Sequence, residues 1–191
     1  MHDFMIFLKV LLGEYKYQKE NEVDGELTSV FPHIRSIFVP HVGFGPPQNS
    51  GIENAAYCMG MYRTRLPGLL SLASPNFYYT LGKKRLPPYG EAIAGTEVFH
   101  HAGTSLGHLG AMYLVPSTES AVVSLTDSQP LMDPTDFVAQ LALSVLLEED
   151  PVVDFVEMAK LARNITLENY EPLKKVVKKG KTNVPSTKNL L

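Results

Sequence analysis

One cysteine, Cys58, stands in 191 residues, so no internal disulfide can form and no secreted disulfide scaffold is implied. A lone cysteine of this kind reads as a small buried apolar residue in a strand. Charge is scarce and nearly balanced, with 17 basic against 20 acidic residues and a net of -3, which gives no basic surplus for a nucleic-acid partner. No stretch reaches the roughly 20 apolar residues that a membrane-spanning helix needs. Low-complexity tracts and internal repeats are absent too. What is there is an ordinary globular composition, 45% hydrophobic and 19% charged. It is long enough for one domain that buries about 70% of its unfolded surface. A cytoplasmic location is the expectation that follows.

Met1 to Leu12 has the apolar content of a leader, but Asp3 stands where basic residues belong and Lys9 interrupts the run. No small-x-small cleavage site follows. Phe4, Phe7, Leu8, Leu11 and Leu12 fall instead on one face of an amphipathic helix, with Asp3 as its N-cap and Gly13 as its stop. Such a face must bury against something, and a chain that opens on a core helix reads as one that has lost what preceded it. Gly13 to Ser50 is polar and then rich in Pro and Gly, an irregular connection with one or two short helices. Tyr57 to Arg65 reads as a strand closed by Leu66-Pro67-Gly68. Leu69 to Gly95 follows as a long excursion, with Lys83-Lys84-Arg85 in a solvated loop. Further on, Asp133-Pro134 and Asp150-Pro151 each have the form of a helix start. The first helix is apolar nearly all round and should be buried across a sheet; the second should run to Arg163, before a polar basic tail over 164–191.

The most informative stretch is His100-His101-Ala102-Gly103-Thr104-Ser105-Leu106-Gly107-His108. It packs imidazoles and small residues into a turn between two apolar strands, Thr96 to His101 and Leu109 to Val115, and a further strand, Ser120 to Thr126, completes a β-meander. A His-x-Gly-x-x-x-Gly turn followed by that pair of strands resembles the third active-site motif of the serine β-lactamase, penicillin-binding protein and esterase superfamily. The likeness is to the class C-related branch, whose members carry His-x-Gly where penicillin-binding proteins carry Lys-Thr-Gly. It extends over about Asp3 to Arg163, the last half of a family member. It is specific at His101, Gly103, Gly107 and the two strands that follow.

The resemblance implies an α+β fold, an antiparallel sheet with packed C-terminal helices that forms part of a β-lactamase/transpeptidase-like domain over 1–163. It implies acyl transfer or ester hydrolysis through a serine ester, in general esterases or in secondary-metabolite biosynthesis, with no cofactor. By the family pattern the Thr104 N–H is one oxyanion donor, and His101 takes the place of the motif-three Lys as a hydrogen-bond donor or proton relay. Ala102, Gly103 and Gly107 line the substrate, which lies along Val98 to Thr104. Ala102 removes the hydroxyl that anchors a carboxylate in the lactamases, which points to a small-molecule ester or thioester.

The rest of the family's apparatus is not found. Twelve serines are present and none has Lys three positions on, so the Ser-x-x-Lys nucleophile is missing. No Tyr-x-Asn occurs, and the one Ser-x-Asn, Ser74-Pro75-Asn76, reads as a chance turn. The chain is therefore expected to be inactive or nearly so alone. It is either a truncated product, or a binding subunit that needs an N-terminal half or partner subunit to complete its site. Three other readings are set aside. Gly103-Thr104-Ser105-Leu106-Gly107 has the form of a nucleophile elbow, but it leads into a strand and His108, the last histidine, lies too close for the triad order. His100, His101 and His108 do not suggest a metal site, because neighbours on a strand point to opposite faces. Asn164-Ile165-Thr166 is a formal glycosylation sequon without a secretory context.

Overall fold

In the computed structural model the apolar strands expected after residue 96 do form a meander. Strands β4 (Glu97–Ser105), β5 (His108–Val115) and β6 (Ser120–Thr126) are antiparallel neighbours. Leu106 and Gly107 make the two-residue turn between the first two, and Gly107 takes φ +79°, a conformation that favours glycine. The structure describes residues 2–24, 29–45, 51–80, 88–128, 131–150 and 153–182. Three shorter strands precede the meander: β1 (Val42–Gly43), β2 (Ala55–Tyr57) and β3 (Tyr62–Arg65). The result is one six-stranded antiparallel sheet in sequence order, and the class is α+β.

The single strand expected over Tyr57 to Arg65 is instead a hairpin. Cys58 donates its backbone N–H to Met61 O at 2.7 Å and closes a turn through Met59 and Gly60, where Gly60 has φ +85°. Apolar residues continue through this turn because Cys58 and Met61 are both buried, which hides the reversal from a pattern reading. Cys58 is thus buried as expected, but in a turn and not in a strand.

Alternation along the strands feeds two cores. On one face, helix α1 (His2–Glu20) and the short helix α2 (Ile34–Phe38) lay Leu8, Leu11, Leu12, Ile34 and Phe38 against Phe99 and Leu114. On the other, helices α4 (Pro134–Leu146) and α5 (Phe155–Thr182) bring Phe137, Leu143, Phe155 and Ala162 against Val98, Tyr113 and Val115. The expected amphipathic helix is present, but Gly13 does not stop it. It continues for two turns, because Gly13 does not take the positive φ that ends a helix and because Gln18, farther on, is buried with its side-chain amide donating to Phe31 O at 2.8 Å.

Helix α4 starts as its sequence announces. Asp133 caps it, accepting from the backbone N–H of Thr135 and Asp136, and Pro134 stands in the first turn. Only one side of α4 is covered, however: Phe137, Ala139 and Leu143 are buried, whereas Val138, Leu141, Val145 and Leu146 are exposed. Helix α5 begins later than Asp150, with Asp154 accepting from the N–H groups of Val156 and Glu157; Pro151 lies outside the described residues. It runs past Arg163 through Pro172 to Thr182, so the first part of the expected tail is helix. Thr166 of the sequon is buried mid-helix, its hydroxyl donating to Ala162 O. Between β3 and β4, helix α3 (Pro75–Thr80) falls within the expected excursion; Lys83-Lys84-Arg85 lies outside the described residues. Among the described residues no helix is long and apolar enough to cross a membrane.

Candidate functional site

The hairpin carrying His101 to Gly107 outruns its neighbour. Pairing of β3 with β4 ends at Tyr62↔His100, while pairing of β4 with β5 continues to Ser105↔His108. Five residues of β4, His101 to Ser105, therefore have no strand beside them on the β3 side among the described residues. The bond from Leu66 N–H to Thr96 O at 2.8 Å sets the phase of this edge. In an antiparallel ladder alternate residues face the same neighbour, so Val98 and His100 turn their backbone groups to β3, and Ala102 and Thr104 turn theirs to the open edge beyond it. An exposed row of this kind is ready to take a ligand or another strand.

Side chains alternate across the same strand. Phe99, His101 and Gly103 look to the α1 face; His100, Ala102 and Thr104 look to the α4 face. The two adjacent histidines consequently differ. His101 is exposed, with its ring 6.0 Å from that of Tyr62. His100 is almost fully buried between the rings of Tyr62 and Tyr113, at 5.8 and 5.6 Å. Its Nε2 lies 3.0 Å from Thr64 Oγ1, whose own proton goes to Leu69 O, so the imidazole must donate from Nε2. Burial, with a smaller contribution from neighbouring His101, pushes its pKa down to about 3, and it is neutral in the folded protein. Among the described residues no three His, Cys, Asp or Glu side chains gather to hold a metal.

Above Gly103 the α1 face carries a shallow groove of about 230 Å³ between the N-terminal turn of α1 and the meander. Phe4, Met112 and Leu125 form its apolar walls, the cross-strand pair Gly103 and Gly110 its bare floor, and His101 its polar rim. Of the residues expected to serve, His101, Gly103 and the Thr104 N–H thus meet at one corner, where groove and open edge join. The Ala102 and Thr104 side chains point away from it. Gly107 sits at the hairpin tip, where its positive φ alone accounts for a glycine. Phe4, Gly110, Met112 and Leu125 were not expected there, although Gly110 lies opposite Gly103 in any register built around a Leu106-Gly107 turn.

A second polar cluster is fully buried. Asp136 accepts from Ser71 Oγ at 2.6 Å, Asn76 Nδ2 at 2.9 Å, Gln140 Nε2 at 3.1 Å and the Tyr113 hydroxyl. Asp133 accepts from Ser74 Oγ at 2.8 Å, and its backbone exchanges hydrogen bonds with the Asn76 amide. Burial pushes the Asp136 carboxyl up, while the bonds from Ser71, Tyr113 and Asn76 hold it down. Ser74-Pro75-Asn76 ties the start of α3 to the start of α4. With both polar residues of the motif buried, it serves packing and offers no face to a ligand. The Gly103-Thr104-Ser105-Leu106-Gly107 segment is strand, turn and strand, with no helix after Ser105.

Compared with models of known protein families, with curated proteins and with solved structures, the chain matches none.

Proposed function

We propose that this chain is the C-terminal part of a β-lactamase-like serine esterase or acyltransferase. On this reading it supplies an acyl-binding half-site and lacks the nucleophile. The observation that carries the proposal is the overrun of β4 past β3, which among the described residues leaves the Thr104 N–H on an open edge beside the exposed His101. An antiparallel sheet with helices packed on it supports the same reading. Thr104 then donates to the ester carbonyl oxygen as charge develops there, a contribution of about 3–4 kcal/mol to the transition state for one donor. On this reading His101, exposed on the neighbouring face, gives a proton to the leaving alkoxide or thiolate. Without its nucleophile a serine-hydrolase site keeps only about 10³–10⁴-fold over water, and that figure supposes the rest of the site intact.

The test pairs intact mass after a fluorophosphonate with ¹H–¹⁵N NMR of the chain titrated with methyl acetate. No covalent adduct, together with shifts of the Ala102 and Thr104 amides, is the expected result. A stoichiometric adduct on any serine, Ser105 above all, overturns the view that the nucleophile is missing. Undisturbed amides overturn the half-site.

A further inference from the structure

The groove above Gly103 sets which ester the proposed half-site takes, and this inference rests on that reading. We infer that the groove between Phe4 and Leu125 is an acyl-chain subsite, and that its ligand is an ester or thioester of a small apolar acid. Three observations converge on this. The walls are apolar, and His101 at the rim is the one ionisable side chain among the described lining residues. At about 230 Å³ the space falls below the roughly 300–1,000 Å³ of pockets for drug-sized ligands, which suits a short chain. Its floor is empty by construction: a Cβ built on Gly103 meets nothing within 4 Å, and Gly103 holds no positive φ that would itself demand glycine. Glycine at 103 therefore leaves open space that a side chain could fill without strain.

Gly110 differs in kind. A Cβ there lies 2.7 Å from Leu125 Cδ2, so this glycine lets Leu125 close down over the sheet as the far wall. The near wall, Phe4, is held by stacking on Phe7 at 6.0 Å, and Phe7 meets Phe31 edge-on at 5.6 Å. An ester whose carbonyl reaches the Thr104 N–H at the open edge can lay its acyl chain across Gly103 into this space. A carboxylate or sugar would strand its polar groups against Phe4, Met112 and Leu125.

The test follows binding of methyl acetate, butanoate and hexanoate to the chain by NMR, reading the Thr104 amide and the Met112 and Leu125 methyl groups. Burial of a methylene predicts about fourfold tighter binding for each one added until the groove is full. Gly103→Val should abolish that gain with chain length. Leu125→Ala, a change at a half-exposed position, should move the best chain length upward. If methyl acetate shifts Thr104 but longer chains gain nothing and Gly103→Val changes nothing, the acyl subsite is overturned and the half-site stands. If no ester touches Thr104, the half-site itself falls.

Discussion

His100 and His101 are neighbours with opposite roles, and the difference is one of face. In the folded chain His100 titrates only near pH 3, whereas an unfolded histidine titrates near pH 6.5. Between those values the unfolded state binds a proton that the folded state refuses, so acid favours unfolding. The expected loss approaches 1.4 kcal/mol for each pH unit below about 6. Urea midpoints at pH 7.5, 6 and 5 read it directly, and His100→Phe, which keeps a ring between Tyr62 and Tyr113, should flatten that part of the slope. An unchanged slope in the variant would place the acid sensitivity elsewhere. Asn76 makes the second argument at this scale. Its amide bonds both to the Asp133 backbone and to the Asp136 carboxylate. Asn76→Leu leaves several buried groups without partners, and each costs about 1–3 kcal/mol. Chemical denaturation should show a loss several-fold larger than for Asn164→Leu on the exposed side of α5. Ser74-Pro75-Asn76 illustrates what a sequence conceals: its partners stand near position 133, and nothing local announces them.

Elements were legible where periodicity and capping agree. The strands of the meander are apolar runs bounded by turn residues, and Asp133-Pro134 opens α4 with both its cap and its proline. Boundaries failed where one residue type has two meanings. Gly13 has the form of a stop, but a glycine ends a helix only where φ turns positive, and tertiary burial of Gln18 carries α1 on. The turn at Cys58 to Met61 has no sequence signal beyond Gly60, because its flanking residues are as apolar as a strand. The overrun of β4, on which the proposed site depends, follows from the shortness of β3, which begins only after the turn at Cys58 to Met61. Helix α4 shows the reverse case: its apolar composition suggests full burial, yet Val138, Leu141 and Val145 lie on an exposed stripe. Leu141→Lys should therefore change stability by less than about 0.5 kcal/mol. Leu143→Lys, which forces a charge into the core, should unfold the chain. Thermal melts of the two variants distinguish an exposed stripe from a buried one, and equal damage from both would contradict this packing.

At the scale of the molecule, one sheet serves two cores and joins them. Phe99 and Leu114 face α1, and their chain neighbours Val98, Tyr113 and Val115 face α4 and α5. Neither core can come apart without disturbing the strands that hold the other. Leu8 on α1 and Leu143 on α4 are both fully buried, on opposite faces. A buried Leu→Ala change costs about 2–5 kcal/mol, a large share of the roughly 5–15 kcal/mol that a typical domain has in total. Because the sheet is shared, each substitution should lower a single transition, identical by near-ultraviolet and far-ultraviolet circular dichroism. Since the two sites lie on opposite faces without a common partner, their effects should add to within about 0.5 kcal/mol. Separate transitions by the two probes in the Leu8→Ala variant would instead make α1 a detachable layer. That outcome bears on the proposed site as well, because Phe4, the near wall of the acyl groove, belongs to α1 and would leave with it.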